Sequence, residues 1–241
     1  MLQSLKILGI LISACHLVGC AKAKKPDPLE GVNRAIYAIN KTVDKLAIKP
    51  VARVYEVLIP KPVQSLVSNF FQNLGEISNV GNDVLQGKFP DASRDTARFM
   101  INSTWGFGGL LDVASAGGIT KNHQDFGKTL AYWGWKDSSY FVIPLLGPST
   151  IRDTMGLVPY YYMWPPGYVN SVKARNKLLA LDYIDNRVGL LKAEPLIAES
   201  VDEYIFIRDA YLQRRQFQMS GESKNENFAN NPNMVLEGPP E

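Results

Sequence analysis

Apolar positions recur three and four residues apart through most of this chain. Val63, Leu66, Val67, Phe70, Phe71, Leu74 and Ile77 trace one side of a helix, because 3.6 residues per turn bring such positions onto one face. Pro62 suits a first helical turn, where a missing N–H costs nothing. Gly87 and Pro90 break the next segment, and Asp91 is placed to cap a helix over 92–101. Leu181, Ile184, Val188 and Leu191 form a second stripe, with Lys177, Asp182, Asp185 and Arg187 off it. Ser200 is predicted to cap a last helix through Tyr204, Ile207, Tyr211 and Leu212 to about Gln216. Period-two alternation is scarce, and the best strand candidate, 140–145, is short and interrupted by proline. The predicted class is mostly α.

The two ends read differently from the helical middle. Lys6 precedes an uncharged apolar run that closes on Leu17-Val18-Gly19-Cys20, too short to cross a hydrocarbon core that needs about 20 apolar residues. It is a secretory signal of the lipobox type, so residues 1–19 are set apart from the fold. The likeness to bacterial lipoprotein signals implies that Cys20 becomes the mature N-terminus and carries a thioether-linked diacylglycerol and an N-acyl chain. Three acyl chains, at about 0.8 kcal/mol per buried methylene, make a permanent anchor. Cys15 leaves with the signal, so neither a disulfide nor a free thiol is expected in the mature chain. Residues 20–28 are a lysine- and proline-containing tether, 29–217 one domain, and 218–241 a tail rich in Asn, Glu, Gly and Pro that buries too little to order itself.

Without Lys6 the 26 basic residues become 25 against 23 acidic ones, a net charge of +2 that gives no footprint for nucleic acid. Outside the helical stripes the apolar residues fall in two unusual places. Residues 104–111, Thr-Trp-Gly-Phe-Gly-Gly-Leu-Leu, mix glycine with bulky side chains and carry no charge. Residues 154–169 hold Met155, Leu157, Tyr160, Tyr161, Tyr162, Met163, Trp164 and Tyr168 between prolines 159, 165 and 166. Tyrosine and tryptophan favour a membrane–water interface, having an apolar body and a polar tip. Trp105, Phe107, Tyr161 and Trp164 are therefore expected at lipid, in non-helical segments; the competing reading is a loop packed beneath the helices.

Catalytic constellations are missing. His123 is the one histidine left once His16 departs with the signal, which rules out multi-histidine metal sites. Gly147-Pro148-Ser149-Thr150-Ile151 lacks the closing glycine of a nucleophile elbow, and Ser149 reads instead as a helix cap. His123 with Asp125 reads as a surface histidine near a turn, and Gly106, Gly108 and Gly109 make no dinucleotide fingerprint. No cofactor is expected apart from the covalent lipid on Cys20, and the chain is not expected to be an enzyme.

An ordered set of segments nevertheless resembles one family. Asp27-Pro28-Leu29-Glu30-Gly31-Val32-Asn33-Arg34, Val67-Ser68-Asn69-Phe70-Phe71, Leu85-Gln86-Gly87, Asp95-Thr96-Ala97-Arg98-Phe99, Gly108-Gly109-Leu110-Leu111-Asp112-Val113-Ala114, Asp125-Phe126-Gly127-Lys128-Thr129-Leu130, Pro144-Leu145-Leu146-Gly147-Pro148-Ser149-Thr150 with Arg152-Asp153, and Ala210-Tyr211 are similar to the MlaA, or VacJ, family of outer-membrane lipoproteins. The resemblance spans about residues 27–217. It implies a ring-shaped bundle of amphipathic helices lying in the inner leaflet of the outer membrane, with non-helical loops rich in glycine, proline and aromatics. Through its central channel, misplaced phospholipid leaves the outer leaflet and passes to a soluble periplasmic carrier, then to an ATP-powered inner-membrane complex. A trimeric porin is the implied neighbour.

One loop departs from the family pattern. Where members have several glycines, this chain reads Leu130-Ala131-Tyr132-Trp133-Gly134-Trp135-Lys136-Asp137-Ser138-Ser139-Tyr140. Gly134 is retained, while Lys136, Asp137 and Ser138 make the loop more polar and less free in φ. The resemblance implies that this loop gates the channel; the Lys136 ammonium is a candidate contact for a lipid phosphate, the competing reading being an exposed lysine with no role. Two rival functions are a porin-bound structural or adhesive lipoprotein that moves no lipid, and a phospholipid hydrolase; the failed elbow and single histidine disfavour the latter.

Overall fold

A computed structural model describes residues 27–220. Expectations for residues 1–26, Cys20 among them, and for 221–241 lie outside these described residues. Helix α1 (Glu30–Val43) runs through a π-turn (Asp44–Ile48) into α2 (Lys49–Leu58); α3 (Lys61–Leu85) and α4 (Phe89–Thr104) form an antiparallel pair. Short helices α5 (Val113–Ala116) and α6 (Phe126–Tyr132) lead to a hairpin of β1 (Tyr140–Ile143) and β2 (Gly147–Thr150). Then come α7 (Ile151–Met163), a 3₁₀ turn (Pro165–Tyr168), α8 (Val172–Leu190), a 3₁₀ turn (Leu191–Ala193), α9 (Glu194–Glu199) and α10 (Glu203–Ser220). The mostly α class holds.

Several boundaries correct the sequence reading. The fourth helix starts three residues before Ala92, with Pro90 in its first turn and Asp91 inside the helix, paired to Arg94 at 3.0 Å. Thr150, not Ser149, caps α7, its side chain accepting from the Asp153 N–H. Asp202 rather than Ser200 caps α10, accepting from the amides of Tyr204 and Ile205, while the Ser200 hydroxyl donates back to Ile197 O. Residues 218–220 continue α10. Residues 154–163, part of the 154–169 segment expected to be non-helical, belong to α7 despite Pro159, which cannot donate to the carbonyl one turn back.

Burial is inverted. Among the described residues nineteen polar or charged side chains are buried against eleven apolar or aromatic ones. The inner face of α3 carries Gln64, Asn73, Glu76, Ser78, Asn79, Asn82 and Asp83 with Phe71. Of the apolar stripe that marked this helix only Phe71 is buried; Val63 is exposed. Among the described residues the buried apolar side chains larger than alanine gather in two small clusters, apart from a stack of Trp164 with Phe71 and Tyr160. Ala52, Val188 and Leu191 join α2 to α8 with Ile184 against them, and Tyr140, Val142 and Tyr204 join the hairpin to α10.

Polar side chains do the joining elsewhere. Arg98 on α4 donates to Glu76 (3.1 Å), to both oxygens of Asp112 (3.1 Å) and to Ser115 and the Ile119 carbonyl. Asp112 is also the cap of α5 and accepts from Asn102 at 2.9 Å. Burial works against its charge, but the hydrogen bonds from Ser115 and Asn102 and the Arg98 guanidinium hold its pKa down to about 2. Asn33 and Asn40, two turns apart on α1, close the outer edge of β1. The amide of Val142 donates to Asn33 Oδ1 at 2.9 Å, and Asn40 bonds Ile143 O at 2.9 Å and Leu145 N at 2.7 Å. An edge strand that would otherwise invite another chain is thereby satisfied.

Asp83 and Asp95 face each other across the α3–α4 seam, both fully buried. Each accepts from the Asn122 amide at 3.1 Å, and one carboxyl oxygen of each is buried without a hydrogen-bond partner. Burial, and then the neighbouring Asp83, push Asp95 up to about 7, so one proton shared between the two relieves their repulsion. A carboxyl whose pKa rises on folding stabilises below its unfolded pKa of about 3.9 and loses that stabilisation as pH climbs through its folded value. Asp95→Asn, which mimics the protonated acid, is expected to gain thermal stability relative to the native chain as pH rises from about 5 to about 9. A stability difference that does not change with pH would contradict the shared proton.

Candidate functional site

The features that set this molecule apart are its outward apolar surface and the polar spine beneath it. Along α1, the π-turn and α2, Val32, Ile39, Leu46, Val51, Val54, Val57 and Leu58 all point away from the fold, Val57 being 79% exposed. No helix among the described residues is long and apolar enough to cross a membrane. Exposed apolar side chains recur in the turn after α4. Trp105 and Phe107 are 71% and 74% exposed, and Phe107 takes a left-handed φ of +53°, a conformation that costs a side chain about 1–2 kcal/mol. Glycines let this turn close tightly: a Cβ on Gly106 would lie 2.2 Å from Leu111 O, and one on Gly109 2.5 Å from the Asn73 amide. The turn spends backbone strain to hold a phenyl ring outside the protein.

The four aromatic positions expected together divide. Trp105, Phe107 and Tyr161 are exposed, Tyr161 from α7 at 65%. Trp164 is not, and the expectation of lipid contact fails for it. Its ring stacks between Phe71 (6.4 Å) and Tyr160 (5.5 Å) with 7% of the residue accessible. Pro165 and Pro166 end α7 and turn this indole back onto α3.

Gly134 and Lys136 lie in the segment between α6 and β1. Gly134 has φ +115°; its N–H donates to Ala131 O and that of Trp135 to Leu130 O. These two bonds are a Schellman ending, with glycine at the one left-handed position. Gly87 ends α3 in the same way, at φ +70°. The Lys136 side chain is exposed, while its carbonyl accepts from Arg152 at 2.9 Å. His123 is exposed in the irregular run before α6, and the Asp125 carboxylate does not orient it. That carboxylate caps α6 and binds Arg215 at 2.6 Å through both oxygens.

Sequence reasoning missed the charged residues that build the spine. Glu76, Arg98, Arg152 and Arg215 are each buried, and nothing in a helical period distinguishes an inward arginine from an outward one. The available signal was the polar stripe Asn69, Gln72, Asn73, Glu76, Asn79 and Asp83, at three-and-four spacing opposite the apolar one.

These elements make a helical lipoprotein-like chain with its apolar side outward. The family model described as MlaA lipoprotein matches residues 25–218, and the chain belongs to the MlaA family. The intermembrane phospholipid transport system lipoprotein MlaA of Shigella flexneri is 33% identical, covering 91% of this chain and 90% of its own length. That of Escherichia coli strain K12 is 32% identical with the same coverage, and that of Haemophilus influenzae 31% identical. A solved chain from work on the "Structural basis for maintenance of bacterial outer membrane lipid asymmetry" superposes with a TM-score of 0.70 at 31% identity, over 80% of this chain and 98% of that one.

In single-tryptophan variants reconstituted in brominated lipid, Trp105 is expected to be quenched strongly and Trp164 weakly. Trp164→Ala is expected to cost about 3–5 kcal/mol of stability, and Trp105→Ala no more than about 0.5 kcal/mol in detergent. Equal quenching at the two positions would contradict this division.

Proposed function

We propose that this chain is a phospholipid-transport lipoprotein, anchored through Cys20 to the outer membrane and seated in its inner leaflet by the apolar surface. In this reading it takes phospholipid misplaced in the outer leaflet and passes it to a soluble periplasmic carrier, which maintains lipid asymmetry. The observation that carries the reading is the inversion of burial on an MlaA fold. In water, each fully exposed Val, Leu or Phe side chain forgoes roughly 1.5–3 kcal/mol, whereas against acyl chains the same surface costs nothing. The polar spine has the opposite need, since unsatisfied polar groups in hydrocarbon cost several kcal/mol each. A ring with an inward polar side offers hydrogen bonds to a headgroup while the tails follow apolar surface, and no bond of the lipid breaks.

A trimeric porin neighbour belongs to the same reading, as does a gating role for residues 133–140. Within it, Gly134 works as a helix terminator. A side chain there meets no neighbouring atom and is opposed by its backbone angle alone, so Gly134→Val is expected to shift the loop and slow transport without preventing folding. Lys136, exposed beside it, is the lysine available there to meet a phosphate, and Lys136→Glu is expected to impair transport more than Lys136→Gly.

Deleting the gene is expected to raise surface-accessible phospholipid and sensitise cells to detergent and chelator. Cys20→Ala is expected to leave the protein unprocessed or released, as intact-mass measurement would show. Unchanged outer-leaflet lipid in a clean deletion would favour the porin-bound scaffold instead. Released fatty acid on incubation of the pure protein with phospholipid would favour hydrolysis.

A further inference from the structure

The loop over 133–139 is held mainly from behind. Trp133, Trp135, Lys136 and Asp137 are exposed. Beyond the Schellman ending, a bond from the Trp133 indole to Leu85 O at 3.1 Å and an edge-on contact of that ring with Phe126 at 5.8 Å, the loop's ties come from the start of α7. The Arg152 guanidinium donates to Trp135 O at 3.2 Å and Lys136 O at 2.9 Å. The amide of Arg152 donates to Ser138 Oγ at 2.9 Å, and that of Ile151 to Ser139 O at 3.0 Å.

Arg152 is 1% exposed, so its charge must be answered inside the protein. Asp153 answers it, with Oδ1 3.0 Å from the guanidinium. The same carboxylate is claimed from the far side of the fold. Arg215 on α10 donates to Asp153 at 2.8 and 2.9 Å and to Asp125 at 2.6 Å, and Tyr211 donates to Asp153 at 3.0 Å. Two buried arginines and two aspartates thus balance, with Asp153 shared. Space is cleared for them: a Cβ on Gly127 would sit 2.1 Å from Asp153 Oδ1 and 2.7 Å from Arg215, and one on Gly156 2.8 Å from Gly127 N.

From this arrangement we infer that α10 sets the position of the 133–139 loop through an ionic relay, Arg215 to Asp153 to Arg152, and that Arg152 and Arg215 are positioning residues. If Arg215 withdraws, Asp153 keeps Arg152 as its one cationic partner, with the Tyr211 hydroxyl beside it, and the guanidinium that pins Trp135 and Lys136 is free to follow it. Carbonyls are weaker partners for a guanidinium than a carboxylate, so the loop yields first. That the moving loop affects lipid passage rests on the function proposed above; the relay itself does not.

Hydrogen exchange on the full-length protein in detergent tests the relay. Arg215→Lys keeps the charge and removes the fork that spans both aspartates. It is expected to speed exchange at 133–140 by at least about fivefold, the lower end of an ordinary coupling between sites. Tyr211→Phe, which removes one bond to Asp153 and no charge, is expected to do the same more weakly and serves if Arg215→Lys does not fold. Ser138→Ala is expected to speed exchange in α10 near Arg215, because coupling is reciprocal. Faster exchange in α10 with 133–140 unchanged, in either the Arg215 or the Tyr211 variant, would overturn the relay. Loop protection lost while surface phospholipid in cells stays normal would establish the relay and overturn the loop's part in transport.

Discussion

The fold depends on the burial of Arg98. Its guanidinium, in the middle of α4, binds Glu76 of α3, the cap of α5 at Asp112 and the carbonyl of Ile119 in the run beyond it. One side chain therefore fixes four segments. Removing it would strand Glu76, whose burial already pushes its pKa up against the hydrogen bonds from Asn79 and Arg98, and breaking such a pair typically costs about 3–5 kcal/mol. A water-soluble bundle of this size would tie these segments with leucines. Here the seam between these segments is closed by hydrogen bonds whose geometry leaves little freedom, while many leucines and valines are exposed on the other surface.

That arrangement places the chemistry. Hydrogen-bonded interiors are directional, so the long α3–α4 pair serves as a rigid wall, with Asn79, Asn82 and Gln86 reaching the segment around Asn122, Gln124 and Thr129. The apolar surface carries no such constraint, and its residues vary freely in size between Val57, Leu58, Trp105 and Phe107. Strain is concentrated where an aromatic ring is pushed outward, at Phe107, and charge where α7 meets α10, at Asp153.

Legibility in the sequence followed the same division. The α3 and α8 helices and the 140–143 strand were readable because helical and strand periods survive whichever way the apolar side faces. The direction was not, and Phe71 alone of the α3 stripe lies inside. Trp164 and Trp105 share a context of glycine, proline and aromatics, yet Pro165 and Pro166 fold one back onto Phe71 while the glycine turn sends the other out. Short-range signals do not separate those outcomes. Caps were missed by one or two residues, as at Thr150 and Asp202, because neighbouring Ser, Thr and Asp compete on nearly equal terms for the same N–H groups. The Arg152–Asp153–Arg215 set joins residues more than sixty positions apart and has no local signature.

The account stands on an apolar outside and a polar inside within a leaflet, and spin labels at Val57 and Gln72 in reconstituted liposomes test it most directly. The label at Val57 is expected to be relaxed by oxygen, which partitions into acyl chains, and the label at Gln72 by an aqueous nickel chelate. If nickel relaxes both labels equally, the outward apolar surface does not face lipid and the central claim fails.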